Sequence, residues 1–143
     1  MSERAERAGI WRAVQITMLP TAPIPYRYAV AKSALAVLLG LACASPIRRR
    51  SAMSSFTSVL ETLCNITENP MCNDAIEHVN EKKHGDLCTI AMKLAPLAKD
   101  TAPEIELPYL GILLAALAAS LLRVEEYAPI IEELKPEEET EFR

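Results

Sequence analysis

Residues 107–122 read LPYLGILLAALAASLL, an uncharged run of 16 residues that consists mostly of Leu and Ala. These two residue types favour helices because they lose little or no side-chain freedom in one. Gly111, Ala115 and Ala119 recur at every fourth position of the run. Residues four apart stack on one face of a helix, so the run predicts a helix with a flat stripe that a second backbone can approach closely.

A second run with the same pattern lies earlier in the chain. Residues 33–45 read SALAVLLGLACAS, and Ala36, Gly40 and Ala44 repeat the spacing of small residues. We expect these two small-residue stripes to be the places where helices touch most closely. The stripes pack against each other within one chain, or against a second chain; the sequence does not choose between these contacts.

The rest of the composition predicts one all-α domain. The chain has 143 residues, 50% of them hydrophobic and 24% charged, which is enough apolar content for a single core. No segment shows the alternating pattern of a strand or a tight hairpin turn. We therefore expect a small bundle of about five to seven helices, with the two apolar Ala/Leu-rich helices packed centrally.

Start and stop signals divide the chain into predicted helices and three regions. A basic amphipathic helix and a Pro-rich connector occupy residues 1–25, a helical core domain occupies residues 26–135, and an acidic tail occupies residues 136–143. Capping residues and prolines set the helix limits. The predicted helices run from about Ser2 to Leu19, Tyr26 to Ala44, Ser54 to Ile66, Asn69 to His84, Asp86 to Leu97 and Pro108 to Tyr127, with a short last helix from Pro129.

Charge is distributed unevenly along the chain, although the net charge is only −4. Residues 1–60 carry eight Lys and Arg residues against two Glu residues, a net charge of +6. Residues 101–143 carry ten Glu residues against three Lys and Arg residues, a net charge of −7. Opposite ends attract each other, within one molecule or between molecules, and the attraction is screened beyond about 8 Å at physiological salt. Two solvated faces of opposite sign are the simpler interpretation.

The two apolar runs are short for membrane spans. A span needs about 20 mostly apolar residues, whereas residues 33–47 and 107–122 are uncharged for 15 and 16 residues. Buried core helices have this length, so we favour a soluble core. A spanning hairpin with Lys32 and Arg123 reaching the membrane surface is the alternative.

The first apolar run also resembles the apolar part of a secretory leader. Ala42, Cys43 and Ala44 form a pattern of small residues typical of a cleavage site. More than thirty residues precede the run, and they contain an amphipathic helix of their own, so we favour an uncleaved chain. Met53 is an alternative start, in which case residues 1–52 would not belong to the protein.

The four cysteines are Cys43, Cys64, Cys72 and Cys88. Zinc sites use close pairs of ligands, and no such pair occurs here. We therefore expect buried thiols that act as small hydrophobic side chains. A disulfide that involves Cys64, Cys72 or Cys88 is the second interpretation; it would suit an extracellular protein or the cytosol of a hyperthermophile. A metal or iron–sulfur site is the third.

Few other residues suggest chemistry. Glu81 and His84 have the Glu-x-x-His spacing of di-iron bundles, but nearby carboxylates are limited to Glu61 and Glu77 and there is no second copy of the motif. A histidine at the end of a helix is explained by the helix dipole. No nucleophile, phosphate-loop or dinucleotide pattern occurs. We predict no catalytic site, no metal, no cofactor and no small-molecule substrate.

The basic triplet Arg48, Arg49 and Arg50 is a candidate contact for nucleic-acid phosphates or lipid headgroups. An acidic protein with few aromatic residues lacks the broad basic face and the stacking platforms that nucleic-acid binders use. A solvated helix flank is the simpler explanation.

Together these features predict a non-enzymatic interaction protein, which self-associates or serves as a small subunit of a larger complex. The alternatives are a membrane or filament subunit with a two-helix apolar hairpin, and a small helical subunit of a nucleoprotein complex. We expect a cytoplasmic protein, with a membrane-associated or secreted one as the alternative. The chain has one glutamine among many Glu and Arg residues, a bias seen in thermophiles.

Overall fold

The computed structural model describes residues 3–18, 21–44, 46–81, 86–98 and 102–122. These residues form six α-helices and no strand, which confirms the all-α prediction. The helices are α1 (Glu3–Met18), α2 (Ile24–Ala44), α3 (Pro46–Thr67), α4 (Cys72–Glu81), α5 (Leu87–Leu94), which continues as a 3-10 turn (Ala95–Ala98), and α6 (Pro103–Leu121). The short helix predicted from Pro129 and the acidic tail lie outside the described residues.

Helix α6 is the centre of the bundle. It is apolar around its whole circumference, and a helix of this kind is stable in water only when other helices cover it. Helices α1, α2 and α3 pack around it, and the 3-10 turn also contacts it. Its residues from Tyr109 to Ala118 are all buried, so its small-residue stripe is one part of a face that is buried throughout.

Helix α2 is the other apolar helix, and it lies at the outside of the bundle. One side of it packs on α6, α1 and α5. The buried residues of that side follow helical spacing: Ala31, Ala34, Leu35, Leu38 and Ala42. The opposite side is exposed, so of the two apolar helices that we expected at the centre, α6 is central and α2 is peripheral.

Two helices begin earlier than their sequence signals predicted. Helix α3 begins at Pro46 and α6 begins at Pro103, because proline is well tolerated in the first turn of a helix, where its missing N–H would have no partner. Pro108, the predicted start of the last apolar helix, lies inside α6. The backbone amides of Ile105 and Glu106 donate to the carbonyl of Ala102 and close the first turn.

The predicted helix start at Asp86 is confirmed, since Asp86 is the N-cap of α5, whereas α4 begins at Cys72, three residues after the start predicted at Asn69. The Asn69 side chain accepts a hydrogen bond from the amide of Met71 at 2.9 Å, and the Asp86 side chain accepts one from the amide of Cys88 at 2.9 Å. Asn69 also donates from Nδ2 to the carbonyl of Ile105 at 3.1 Å. This buried amide therefore joins the start of α4 to the start of α6.

The first helix belongs to the same core as the rest of the bundle. Val14 of α1 is fully buried, and α1 packs on both α6 and α2. Arg27 at the start of α2 donates from Nη2 to the carbonyl of Thr17 at 3.1 Å, which holds the two helices together across the connector. Residues 1–25, which we expected as a separate region, thus contribute α1 to one bundle.

Candidate interaction surface

The first small-residue stripe is exposed. Ala36, Gly40 and Ala44 all lie on the solvent side of α2, and a Cβ added at Gly40 would meet no atom within 4 Å. Among the described residues, no helix therefore packs on this stripe. The residues that do pack α2 onto the core lie on its opposite side, because Leu35 and Leu38 bury more apolar area there than the small residues would.

The second small-residue stripe is buried, but it does not meet the first one. Gly111 lies against α1, where a Cβ would collide with Cγ of Met18. Ala115 is 1% exposed, and Ala119 is partly exposed near the end of α6. The second stripe thus packs inside the bundle, and the helix that contacts it at Gly111 is α1.

A continuous exposed surface results on α2, which we call the α2 outer face. It consists of Ala29, Ser33, Ala36, Val37, Gly40 and Ala44. None of these residues is charged, and Lys32 lies at the edge of the face. Among the described residues, four large hydrophobic side chains are exposed, and three of them belong to α2: Ile24, Tyr26 and Val37, which are 42%, 52% and 46% exposed.

An open groove of about 400 Å³ runs beside this face, between α1 and α2. Its lining contains one polar side chain, that of Ser33, and otherwise glycine and apolar residues. The lining residues are Gly9, Ile10, Ala13, Ala29, Val30, Ser33, Ala34 and Val37. Most of these side chains are small, and small residues allow another helix to lie close to the backbone. The shape therefore suits a helix better than a compact ligand.

Two of the helices, α2 and α6, are long and apolar enough to cross a membrane by length and composition. The most apolar window of α6 is 67% buried inside the bundle, whereas that of α2 is 28% buried. The two helices therefore differ in environment although their sequences are similar. Core helices and leader segments have the same length and composition, so this finding is weak evidence for a membrane.

The four cysteines form two disulfides, which contradicts our expectation of buried free thiols. Cys64 bonds to Cys72 and joins the end of α3 to the start of α4, with a Cα–Cα distance of 5.6 Å. This pair agrees with the second interpretation of the sequence. Cys43 bonds to Cys88, with a Cα–Cα distance of 4.7 Å, and joins α2 to α5. The second pair was missed because its partners are 45 residues apart and meet only when α5 packs on α2.

The basic triplet lies near the start of α3, and its side chains are outside the described part of the structure. The interpretation of Arg48, Arg49 and Arg50 as a phosphate or lipid contact therefore stays a prediction. Positive charge in the first turns of a helix is disfavoured by the helix dipole. Stabilisation of α3 therefore does not explain why arginines occupy these positions.

The described residues contain no group of three His, Cys, Asp or Glu side chains that is placed to hold a metal ion. His84 lies outside the described residues, and the cysteines are bonded to each other. A polar concavity of about 380 Å³ lies next to the Cys64–Cys72 disulfide, and residues of the α3–α4 connection line it. It contains one carboxylate, that of Glu68, among the amides of Asn65, Asn69 and Asn73.

Two tyrosines make further side-chain contacts between helices. Tyr28 of α2 donates to Oε2 of Glu106 in α6 at 2.6 Å, and Lys32 lies 5.5 Å from its ring centre. Partial burial, the hydrogen bond to Glu106 and the negative charges of Glu106 and Glu104 together raise the pKa of Tyr28 to about 12. This contact fixes α2 on α6 and leaves the α2 outer face free.

Tyr109 is fully buried in α6 and donates to the carbonyl of Leu94 at 2.8 Å. Burial, and to a smaller extent the charge of Asp74, raise the pKa of the Tyr109 hydroxyl well above its usual value. The Leu94 carbonyl stands at the end of α5, where the helix passes into the 3-10 turn. Both tyrosines thus have structural partners.

Comparison with protein-family models, with curated proteins and with solved structures finds no match for this chain. The function must therefore be argued from the surface itself.

Proposed function

We propose that the protein is a non-enzymatic interaction protein that self-associates through the α2 outer face. The observation that supports this proposal is the difference in burial between the two sides of α2. One side is packed into the core, while the other exposes an uncharged apolar surface that includes Val37 at 46% exposure. Contiguous exposed apolar surface on a folded domain is typical of an interaction site.

The composition of the α2 outer face favours a protein partner over a lipid surface. Helices that lie on membranes present large side chains such as Trp, Phe and Leu, because each must bury much apolar area. The α2 outer face instead presents Ala, Gly, Ser and a single Val. Small residues gain little in lipid but allow close contact between two backbones.

A second copy of the chain is the partner that these residues fit. In a two-fold contact the same face of both copies meets, so a charged residue on that face would lie near the like charge of the other copy and repel it. The α2 outer face has no charge, and its one larger side chain, Val37, has small neighbours at Ser33 and Gly40 that offer space for the Val37 of the other copy. The opposite net charges of the two ends of the chain would add attraction between copies.

The test is sedimentation velocity over a range of protein concentrations without detergent. Wild type should shift towards a dimer as concentration rises. Gly40→Leu should weaken the dimer by about fivefold to a hundredfold, because an overfilled contact costs about 1 to 3 kcal/mol. The Gly40 position is open within one chain, so the substitution should leave the melting temperature of the monomer unchanged or higher.

Ser55→Leu is the matched control, because it adds the same side chain at an exposed position of α3. It should associate like the wild type. A wild type that stays monomeric at high concentration would refute the proposal, and so would a Gly40→Leu variant that associates as strongly as the control.

The other predictions from the sequence have weaker support. A nucleoprotein subunit depends on the basic triplet, whose side chains are outside the described residues. A membrane or filament hairpin needs α6 to leave the core, although it is the most buried helix of the bundle. Recovery of the expressed protein in the membrane fraction alone would favour the hairpin over the self-association that we propose.

A further inference from the structure

We infer that Asn65 is an acceptor for an N-linked glycan. Residues 65–67 read Asn-Ile-Thr, the Asn-x-Ser/Thr pattern that oligosaccharide transfer requires, with no proline in the middle. None of the other asparagines, Asn69, Asn73 and Asn80, is followed by Ser or Thr two positions later. The chain thus offers a single acceptor, and three structural observations support its use.

First, the Asn65 side chain is accessible. It is exposed near the end of α3, although the cysteine before it is buried and bonded to Cys72. A glycan on Asn65 would therefore extend into solvent without disturbing the core. The inference does not depend on the proposed self-association.

Second, the disulfides fit the compartment that this modification requires. All four cysteines are paired, and such pairs persist in the secretory pathway, outside the cell, or in the cytosol of hyperthermophiles. N-linked transfer takes place in the first of these compartments. The inference therefore requires that this chain enters the secretory pathway, whereas its sequence led us to expect the cytoplasm.

Third, the surface beside Asn65 is suited to a sugar. The polar concavity of about 380 Å³ is lined by Asn65 itself and by Glu68 and Asn73, whose exposed side chains offer hydrogen-bond donors and acceptors. Sugar hydroxyls form hydrogen bonds with such groups. The first sugar of the glycan would rest over the α3–α4 connection.

The reaction joins the side-chain nitrogen of Asn65 to the anomeric carbon of a polyprenyl-diphosphate-linked oligosaccharide. The N–C bond forms as the bond between that carbon and the phosphate oxygen breaks, the polyprenyl diphosphate leaves, and the amide nitrogen loses one proton. No oxidant or reductant is needed. The donor and the transferase belong to the secretory pathway.

The structure also sets the order of events. In a helix, residues two apart do not share a face, so Asn65 and Thr67 point in different directions in the folded protein. The Thr67 hydroxyl is also engaged, since it donates to the carbonyl of Leu63 at 2.8 Å. A transferase that reads both side chains together needs this segment unwound. Transfer therefore precedes completion of α3 and closure of the Cys64–Cys72 disulfide.

The first experiment uses the protein purified from the cells that encode it. Peptide N-glycosidase treatment in ¹⁸O-water should convert Asn65 to ¹⁸O-labelled Asp, which mass spectrometry of the peptide detects. An unmodified Asn65 in the disulfide-bonded protein would overturn the inference.

The second experiment expresses the full chain in a eukaryotic secretory system behind a secretion signal. The wild type should show a glycosidase-sensitive shift in gel mobility. Asn65→Gln and Thr67→Ala should lose the shift, whereas Thr67→Ser should keep it. A shift that persists in Asn65→Gln, or a wild type without one, would contradict the assignment. Cys72→Ser should be modified at least as completely as the wild type, and a lower fraction would contradict the proposed order.

Discussion

Met18 occupies the space that a side chain at Gly111 would need. A Cβ at Gly111 would overlap Cγ of Met18, which is itself 8% exposed. Helix α1 therefore reaches α6 through a contact that a glycine permits. The glycine of the matching stripe, Gly40, has no atom within 4 Å of the same position. Two glycines with similar sequence surroundings thus have opposite roles in the bundle.

The first prediction compares these two glycines. Gly111→Ala should destabilise the protein by about 1 to 3 kcal/mol from overpacking, partly offset by about 1 kcal/mol of better helix propensity. Gly40→Ala should stabilise it by about 0.5 to 1 kcal/mol, because only the propensity changes. Urea denaturation measures both. Equal effects of the two substitutions would contradict the packing of α1 on α6.

The second prediction concerns the buried hydroxyl of Tyr109. Tyr109→Phe keeps the ring but removes the buried hydrogen bond to the carbonyl of Leu94, and a hydrogen bond of this kind contributes about 0.5 to 1.5 kcal/mol. The variant should unfold at a lower urea concentration, while the dependence of the free energy of unfolding on urea concentration stays unchanged. Tyr26→Phe is the control, because Tyr26 is 52% exposed and its substitution should have little effect. A Tyr109→Phe variant as stable as the wild type would argue against this hydrogen bond.

The third prediction is a loss of stability at alkaline pH. Tyr28 has a pKa of about 12 in the folded protein, compared with about 10 when unfolded. The folded state therefore holds its proton more tightly, and the stabilisation is complete below about pH 10 and is lost as the pH rises towards 12. The raised pKa of Tyr109 acts in the same direction. The free energy of unfolding should fall as the pH rises from about 10 to about 12, and less steeply in Tyr28→Phe; an identical slope would contradict the contact with Glu106.

The fourth prediction ranks the two disulfides. In the chain-entropy model, the stabilisation grows with the length of the closed loop, so the 45-residue Cys43–Cys88 link should contribute about 4 kcal/mol and the 8-residue Cys64–Cys72 link about 2.5 kcal/mol. Cys43→Ser/Cys88→Ser should therefore lower the melting temperature more than Cys64→Ser/Cys72→Ser. The opposite order would indicate that the short link holds the α3–α4 connection by more than loop entropy.

Much of the fold could be predicted because it depends on local signals. The start of α5 at Asp86 could be predicted from its capping chemistry, and the Leu- and Ala-rich runs could be predicted as helices from propensity. Helix limits at Pro46 and Pro103 were placed too late, because proline is compatible both with the first turn of a helix and with a connector before one. The candidate surface was only half predicted. Ala36, Gly40 and Ala44 were predicted as interface residues but not as exposed ones, and Ala29, Ser33 and Val37 were not predicted.

By itself, the sequence determined the all-α class, the apolar character of α2 and α6, and the presence of a small residue at every fourth position in both. These properties depend on residues within a few positions of each other. Which stripe is buried, and which cysteines pair, was decided only by the tertiary structure. Both depend on which helices are neighbours, and the neighbours are set by the packing of segments that are distant in sequence. Helix α1 covers Gly111, while nothing in the described chain covers Gly40.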